Sequence, residues 1–206
     1  GKPNADDSNR PERATPYPKK VVIFSPHPDD DVISMGGTFQ RLVNQKHEVY
    51  VAYQTSGNIA VGDEEVIRYA SLMENVRAKY SPEDTAMKAE LDKVLNFLMK
   101  EKKAGDDDID DVLFMKGRIR REEATDACRF VGVPEPRIKF LDLPFYETGK
   151  VKKNPISEAD VKIIKDYLQT VKPHQVFVAG DLADPHGTHK VCLDAILAAV
   201  DELKEE

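Results

Sequence analysis

The chain has 206 residues, 40% hydrophobic and 33% charged, which suffices for one sizeable core and not obviously for two. Its net charge of −7, with no basic patch, argues against a nucleic-acid partner. Two cysteines, Cys128 and Cys192, make no disulfide framework and favour a reducing, cytoplasmic setting, and no apolar run is long enough to span a membrane.

Residues 1–18 are polar and proline-bearing, offer almost nothing to bury, and read as a linker ahead of a domain over 19–206. With no Met at its start, the chain reads as part of a longer protein. Beyond the linker, the runs Val21–Phe24, Val49–Tyr53, Ile138–Leu141 and Val176–Ala179 are short and rich in β-branched residues, and long amphipathic stretches separate them. That alternation predicts a Rossmann-like α/β fold, an open and mostly parallel sheet with flanking helices. Such sheets bind ligands beyond the carboxyl ends of their strands, where the strand order reverses.

Directly after the first run stands Ser25-Pro-His27-Pro-Asp29-Asp30-Asp31. One imidazole and three carboxylates in five positions repel one another unless a cation or a buried hydrogen-bond network holds them. After the fourth run comes Asp184-Pro-His186-Gly-Thr-His189, so two clusters of ligand-type residues lie just past strand ends and can share one crevice. Imidazoles from His27 and His189 with a carboxylate from Asp30 suit zinc with an open fourth position, and Fe(II) fits the same set. A neighbouring carboxylate that stays free is a candidate base for a metal-activated water.

Other features read as structural. Gly36-Gly37 is too sparse for a phosphate loop and is expected to let a helix approach the sheet. His47 and His174 precede strands, at the end away from the crevice, and read as surface or capping residues. Between Thr55 and Arg120 a helical insertion is expected, about residues 60–117, with amphipathic segments near Glu64–Lys79 and Glu83–Lys102. The Asp106-Asp107-Asp108 run lacks the alternation of a calcium loop and reads as a solvated helix start. Lys150, Lys152 and Lys153 read as a solvated loop.

The motif Pro-His27-Pro-Asp29-Asp30-Asp31 followed by Gly36-Gly37, with the distant His186-Gly-Thr-His189, resembles the LmbE-like family of zinc-dependent N-acetylglucosaminyl deacetylases, which includes PIG-L. Arg120-Arg121-Glu122-Glu123, leading through Val131-Gly132-Val133 to Leu143-Pro144, matches the family's Arg-x-x-Glu helix and the strand after it. The resemblance covers roughly residues 18 to 200. It implies His27, Asp30 and His189 as metal ligands, Asp29 as general base, and His186 as a group that assists the transition state. Arg120 is a candidate for binding an anionic substituent, or for a local ion pair. Asp31 stands where the family has Glu, so the hydrogen bond made by that longer side chain must be remade or bridged by water. Phe145 stands where an Asp often follows Leu-Pro, which puts substrate contacts there in question.

The expected activity is removal of the acetyl group from an N-acetylglucosamine-type amino sugar, with a small-molecule amino sugar as partner and no membrane span. Some bacteria fuse such domains behind a glucosamine-6-phosphate deaminase, and the entry linker suits that arrangement. A non-catalytic, metal-pinned sugar-sensing or assembly domain is the alternative from another class. Retention of Asp29, which coordinates nothing in this scheme, and a set of three ligands rather than a closed four argue against it. A further enzymatic alternative is hydrolysis of another small amide on a thiol or lipid precursor.

Overall fold

The computed structural model describes residues 17–150, 152–180, 183 and 187–205. Apart from the exposed Tyr17 and Pro18, the linker expected over 1–18 lies outside the described residues. Four strands, β1 (Lys20–Ser25), β2 (Glu48–Tyr53), β3 (Ile138–Phe140) and β4 (Gln175–Phe177), form one sheet in the order β3-β2-β1-β4, and every neighbouring pair is parallel. Six α-helices flank or extend it: α1 (Asp30–Asn44), α2 (Asp63–Tyr80), α3 (Thr85–Asn96), α4 (Asp110–Val131), α5 (Glu158–Val171) and α6 (Thr188–Glu205). The order reverses at β1. From β1 the chain winds outward through β2 and β3, then returns to place β4 on the other side, so the crevice of an open parallel sheet falls between the carboxyl ends of β1 and β4.

Strand alternation sorts the core. Val22 and Phe24 face one side, packed with Leu143, Phe145, Ile164, Leu168, Ile196 and Ala199 from α5, α6 and the loop after β3. Val21 and Ile23 face the other side, with Phe39 of α1, Val49, Val51 and Tyr53 of β2, and Ala124 and Cys128 of α4. Burying both faces explains why the central strand β1 reads as a continuous apolar run. Each fully buried aliphatic side chain contributes about 1.5–3 kcal/mol over an exposed one.

The segment between β2 and β3 builds a satellite core. Val66 and Ala70 of α2, Leu91 and Val94 of α3, and Val112 and Ile119 of α4 pack together away from the sheet. Asp84 starts α3 by accepting the Met87 N–H at 2.9 Å. A single π turn, Phe97–Glu101, ends that hairpin. Helix α4 runs unbroken through residue 117, so its first half belongs to the satellite core and its second half to the main one.

The Asp106–Asp108 run departs from its expected role. The helix begins only at Asp110, and Asp108 is 12% exposed rather than solvated, accepting from Lys102 Nζ at 2.6 Å and Lys116 Nζ at 2.7 Å. The same ammonium groups reach Asp63, each at 2.7 Å, so α2, the α3–α4 connection and α4 are pinned by alternating charges. Gly36-Gly37 also departs. A Cβ at Gly37 would touch nothing within 4 Å, so no close approach to the sheet requires it. Beside the pair, Met35 leaves helical geometry (φ −146°, ψ 22°), and the glycines mark a kink in α1. His47 and His174 cap strand starts as expected: their Nδ1 atoms accept the N–H groups of Lys19 at 3.0 Å and Lys20 at 2.9 Å.

The charge pin makes acid stability testable. Burial pushes the Asp63 carboxyl up, but the bonds from Lys102 and Lys116 outweigh it and hold the group below its usual value. A depressed carboxyl contributes stability that is present above the unfolded-state pKa and lost as pH falls through the folded-state one, so the pin fails only below about pH 4. At neutral pH, Lys116→Met should cost about 2 kcal/mol by leaving Asp108 with one ammonium instead of two. In thermal melts from pH 7 to pH 3, the deficit of the variant should shrink at the acid end.

Candidate metal centre

The site begins as an extension of the strand ladder. Beyond the ends of β1 and β2, Ser25 O accepts the Gln54 N–H at 2.9 Å, and Pro26 O accepts both the Thr55 N–H (3.1 Å) and the Thr55 hydroxyl (2.7 Å). This fixes Pro26, so that His27 emerges at the mouth of the crevice. The chain then turns into α1, with the Asp29 N–H donating to His27 O at 2.8 Å. The Asp30 carboxylate reaches back, and its Oδ2 accepts the His27 backbone N–H at 2.9 Å. Gly57 covers this turn with φ +62°. A Cβ there would sit 2.8 Å from Pro28 Cδ, so only glycine fits.

From the far side of the switch point, the first turn of α6 brings in His189. Its Nε2 stands 3.2 Å from His27 Nδ1 and 3.3 Å from Asp30 Oδ2, and His27 Nδ1 stands 3.2 Å from the same oxygen. Three donor atoms thus mark a nearly equilateral triangle. For metal–ligand bonds of about 2.0–2.1 Å, the edge of a coordination tetrahedron is about 3.3–3.4 Å, so the spacing of the donor set fits a divalent transition metal. Burial pushes Asp30 up, but the hydrogen bonds from the His27 side chain and backbone and the nearby His189 imidazole hold its carboxyl below the usual value.

Behind the triangle, Asp31 points inward. It is 2% exposed, and its Oδ2 accepts the Tyr53 hydroxyl at 2.9 Å. Ser25 Oγ lies 3.0 Å from the Asp31 N–H and 3.3 Å from its Oδ1, and Tyr53 continues the network to Cys128 Sγ at 3.3 Å. The shorter side chain therefore has a direct partner and no bridging water is needed. Burial raises the Asp31 carboxyl above its usual value despite these bonds, and pushes the Cys128 thiol up to about 12, which leaves Cys128 inert.

Asp29 stays on the open side. Arg120 of α4 reaches its Oδ2 at 2.9 Å and lies 3.6 Å from Glu123, so the arginine forms a local ion pair that ends on the candidate base. The surrounding cleft, about 540 Å³, is lined by the triad and by Asp29, Gly57, Ile59, Arg120, Tyr146, Lys153 and Thr188. His186 and Asp184 lie outside the described residues.

Two cleft residues have no signal in the sequence. Tyr146 is 4% exposed, forms a T-shaped pair with the His27 ring with centroids 5.9 Å apart, and is pushed up to about 12 by burial. Lys153 sits over that ring, Nζ 3.6 Å from the centroid, and so departs from the solvated loop expected of it. Neither belongs to a motif, and only the fold of the Leu143–Lys153 loop brings them to His27. Phe145, in question as a substrate contact, is a core residue, 2% exposed, whose N–H donates to the buried Asp160 at 2.9 Å.

The chain is thus an α/β protein with an open parallel sheet, a His/Asp/His set that could hold a metal ion at its switch point, and beside that set a carboxylate paired with Arg120. The chain belongs to the family described as PIG-L: GlcNAc-PI de-N-acetylase, whose model matches residues 22–200. It is similar over its whole length, at 63% identity, to a glucosamine-6-phosphate deaminase-like protein of Bacteroides thetaiotaomicron, and spans 31% of that relative's length. In fold it resembles the N,N'-diacetylchitobiose deacetylase of Pyrococcus horikoshii, with a TM-score of 0.56 and 20% identity, over 95% of this chain and 53% of the other.

The inward network carries a prediction. Tyr53→Phe should cost about 1–3 kcal/mol in urea unfolding, because Asp31 Oδ2 loses its donor in a buried site. Tyr50→Phe, whose hydroxyl bonds the outlying Glu48, is the control and should stay within about 0.5 kcal/mol.

Proposed function

We propose that this chain is a metal-dependent N-deacetylase acting on an N-acetylglucosamine-type amino sugar. The observation that carries the reading is the triangle of His27, Asp30 and His189 at the switch point, with the Asp29 carboxylate outside the triangle and held beside it by Arg120. Membership of a de-N-acetylase family supports it, and so does a fold shared with a chitobiose deacetylase. Zinc, or Fe(II) in the same set, would act as a Lewis acid on the acetyl carbonyl and would acidify water.

The residues around it supply the rest. Asp29 takes the proton of the attacking water, and Arg120 fixes the carboxylate that does so. Asp30 anchors the loop through the His27 backbone as well as offering an oxygen to the metal. Tyr146 walls the imidazole of His27 on the cleft side and keeps bulk water from that flank. His186, three positions before His189, is assigned to stabilise the developing oxyanion on the strength of the motif alone. The relative's length and name support a place for this domain within a longer amino-sugar protein, beside a deaminase-like portion.

Asp29→Asn should keep about one divalent metal per chain while acetate release from N-acetylglucosamine derivatives falls by a factor on the order of 10²–10⁴. Asp30→Ala and His189→Ala should lose metal and activity together. Elemental analysis beside an acetate-release assay decides between them. Equal metal loss in Asp29→Asn and Asp30→Ala would overturn the division of roles, and full metal occupancy with no turnover on any N-acetylated sugar would favour the non-catalytic, metal-pinned reading.

A further inference from the structure

We propose that Lys153 is a specificity-determining residue that reads an anionic oxygen group on the sugar, so that the cleft takes a charged amino-sugar derivative in preference to a neutral one. The proposal deepens the deacetylase reading and rests on it for the identity of the sugar.

Two cations line the cleft, and they differ in what neutralises them. The charge of Arg120 is committed to Asp29 at 2.9 Å, with Glu123 at 3.6 Å. Lys153 forms no ion pair with any carboxylate among the described residues. Its two protein hydrogen bonds go to neutral carbonyls, Tyr146 O and Lys150 O, each at 3.0 Å. An ammonium has three N–H donors, and no oxygen or nitrogen among the described residues accepts the third, which has the Tyr146 ring as its neighbour; an anionic oxygen is a stronger acceptor than a ring face. Glu147, the acidic neighbour whose field reaches Lys153, turns both oxygens to Ser56, accepting its N–H at 2.8 Å and its hydroxyl at 3.0 Å.

The ammonium is also held in place. Two carbonyl bonds and the face of Tyr146 fix it, so little side-chain freedom is lost when an anion binds. Tyr146 touches both groups, with its ring centroid 3.6 Å from Lys153 Nζ and 5.9 Å from the His27 ring centroid, so the ammonium lies within about 9.5 Å of that imidazole, a span that one hexose with its substituents can bridge. A sugar whose amide meets the triangle would present a substituent on the far side of its ring to Lys153. Burial holds Lys153 below the usual lysine range despite the field of Glu147, as expected of a partly desolvated cation with no carboxylate in contact among the described residues. Charge-assisted bonds to phosphate or carboxylate are the strong ones, and this cation has one to give. Either anion satisfies the chemistry.

Calorimetry on zinc-loaded protein, comparing glucosamine, glucosamine 6-phosphate and 2-amino-2-deoxyglucuronic acid, reads binding without turnover. One or both anionic amines should bind about tenfold more tightly than glucosamine, with an excess that shrinks as salt is raised. Preference for the phosphate or for the carboxylate names the source of the charge. In Lys153→Met the ratio should fall to within about twofold of unity, and Lys153→Arg should restore most of it. Lys153→Met that weakens all three ligands equally, an unchanged ratio, or no preference in the parent protein each overturns the proposal. Acetate release from N-acetylglucosamine and its 6-phosphate is measured in parallel. A Lys153-dependent anion preference without turnover retires the deacetylase reading and leaves the lysine's role standing, while turnover without the preference does the reverse.

Discussion

Strand β1 is hydrogen-bonded on both sides to parallel neighbours, and the segment leaving its carboxyl end has little freedom. On the β2 side the ladder runs on through Ser25 and Pro26, bonded to Gln54 and Thr55. On the β4 side the pairing stops at Ile23 opposite Phe177, and a crevice opens where β4 leads away toward α6. His27 therefore leaves the sheet at the lip of the opening, and α6 starts across from it with His189 in its first turn. The metal triangle depends on this difference between the two sides of one strand. Continuing the ladder on both sides would close the crevice over His27, and ending it early on both would leave the imidazole without a fixed origin.

The satellite core is connected to that geometry through one rigid element. Helix α4 packs Val112 and Ile119 among the insertion helices and Ala124 and Cys128 against the sheet. Arg120 lies between those two sets of contacts and reaches Asp29. A shift of the insertion relative to the sheet must bend α4 or carry Arg120 with it. The Asp63–Lys102–Asp108–Lys116 pin resists the first by holding α2 and the α3–α4 connection to the same helix. The helices between β2 and β3 thus hold the arginine that pairs with Asp29, and the segment that leads into them borders the cleft through Ile59 and Ala60.

How far the sequence reveals each feature depends on how local that feature is. The strands are legible because burial leaves short runs rich in β-branched residues, uninterrupted in β1 and more broken toward the edges, and the four predicted segments differ from the observed ones by two residues at most at either end. The grouping of His27, Asp30 and His189 is legible because two of them share one turn and the third lies just past the adjacent strand. The kink at Met35 escapes the sequence because glycine pairs serve kinks and close packing alike, and only the empty space around Gly37 separates them. Asp108 reads as solvated because its two lysine partners are 6 and 8 residues away and belong to different elements. Tyr146 and Lys153 are invisible as site residues for a similar reason: a tyrosine and a lysine after Leu-Pro have no spacing signature, and their position relative to His27 exists only after the loop has folded over the sheet.

Charge sets a further condition on the cleft. The chain has a net charge of −7, and an anionic sugar approaching it gains nothing from the overall field. At physiological ionic strength that field is screened beyond about 8 Å, so neither steering nor repulsion dominates at a distance and recognition must come from contact. A lysine fixed by two carbonyls on a tyrosine face, partly out of water, suits contact recognition better than a cluster of exposed lysines would, because reduced screening strengthens the last few ångströms of the interaction. The same argument accounts for Arg120. With Asp29 beside it, that arginine presents little net charge to a ligand, so the recognition proposed for this cleft falls to the donor triangle and Lys153.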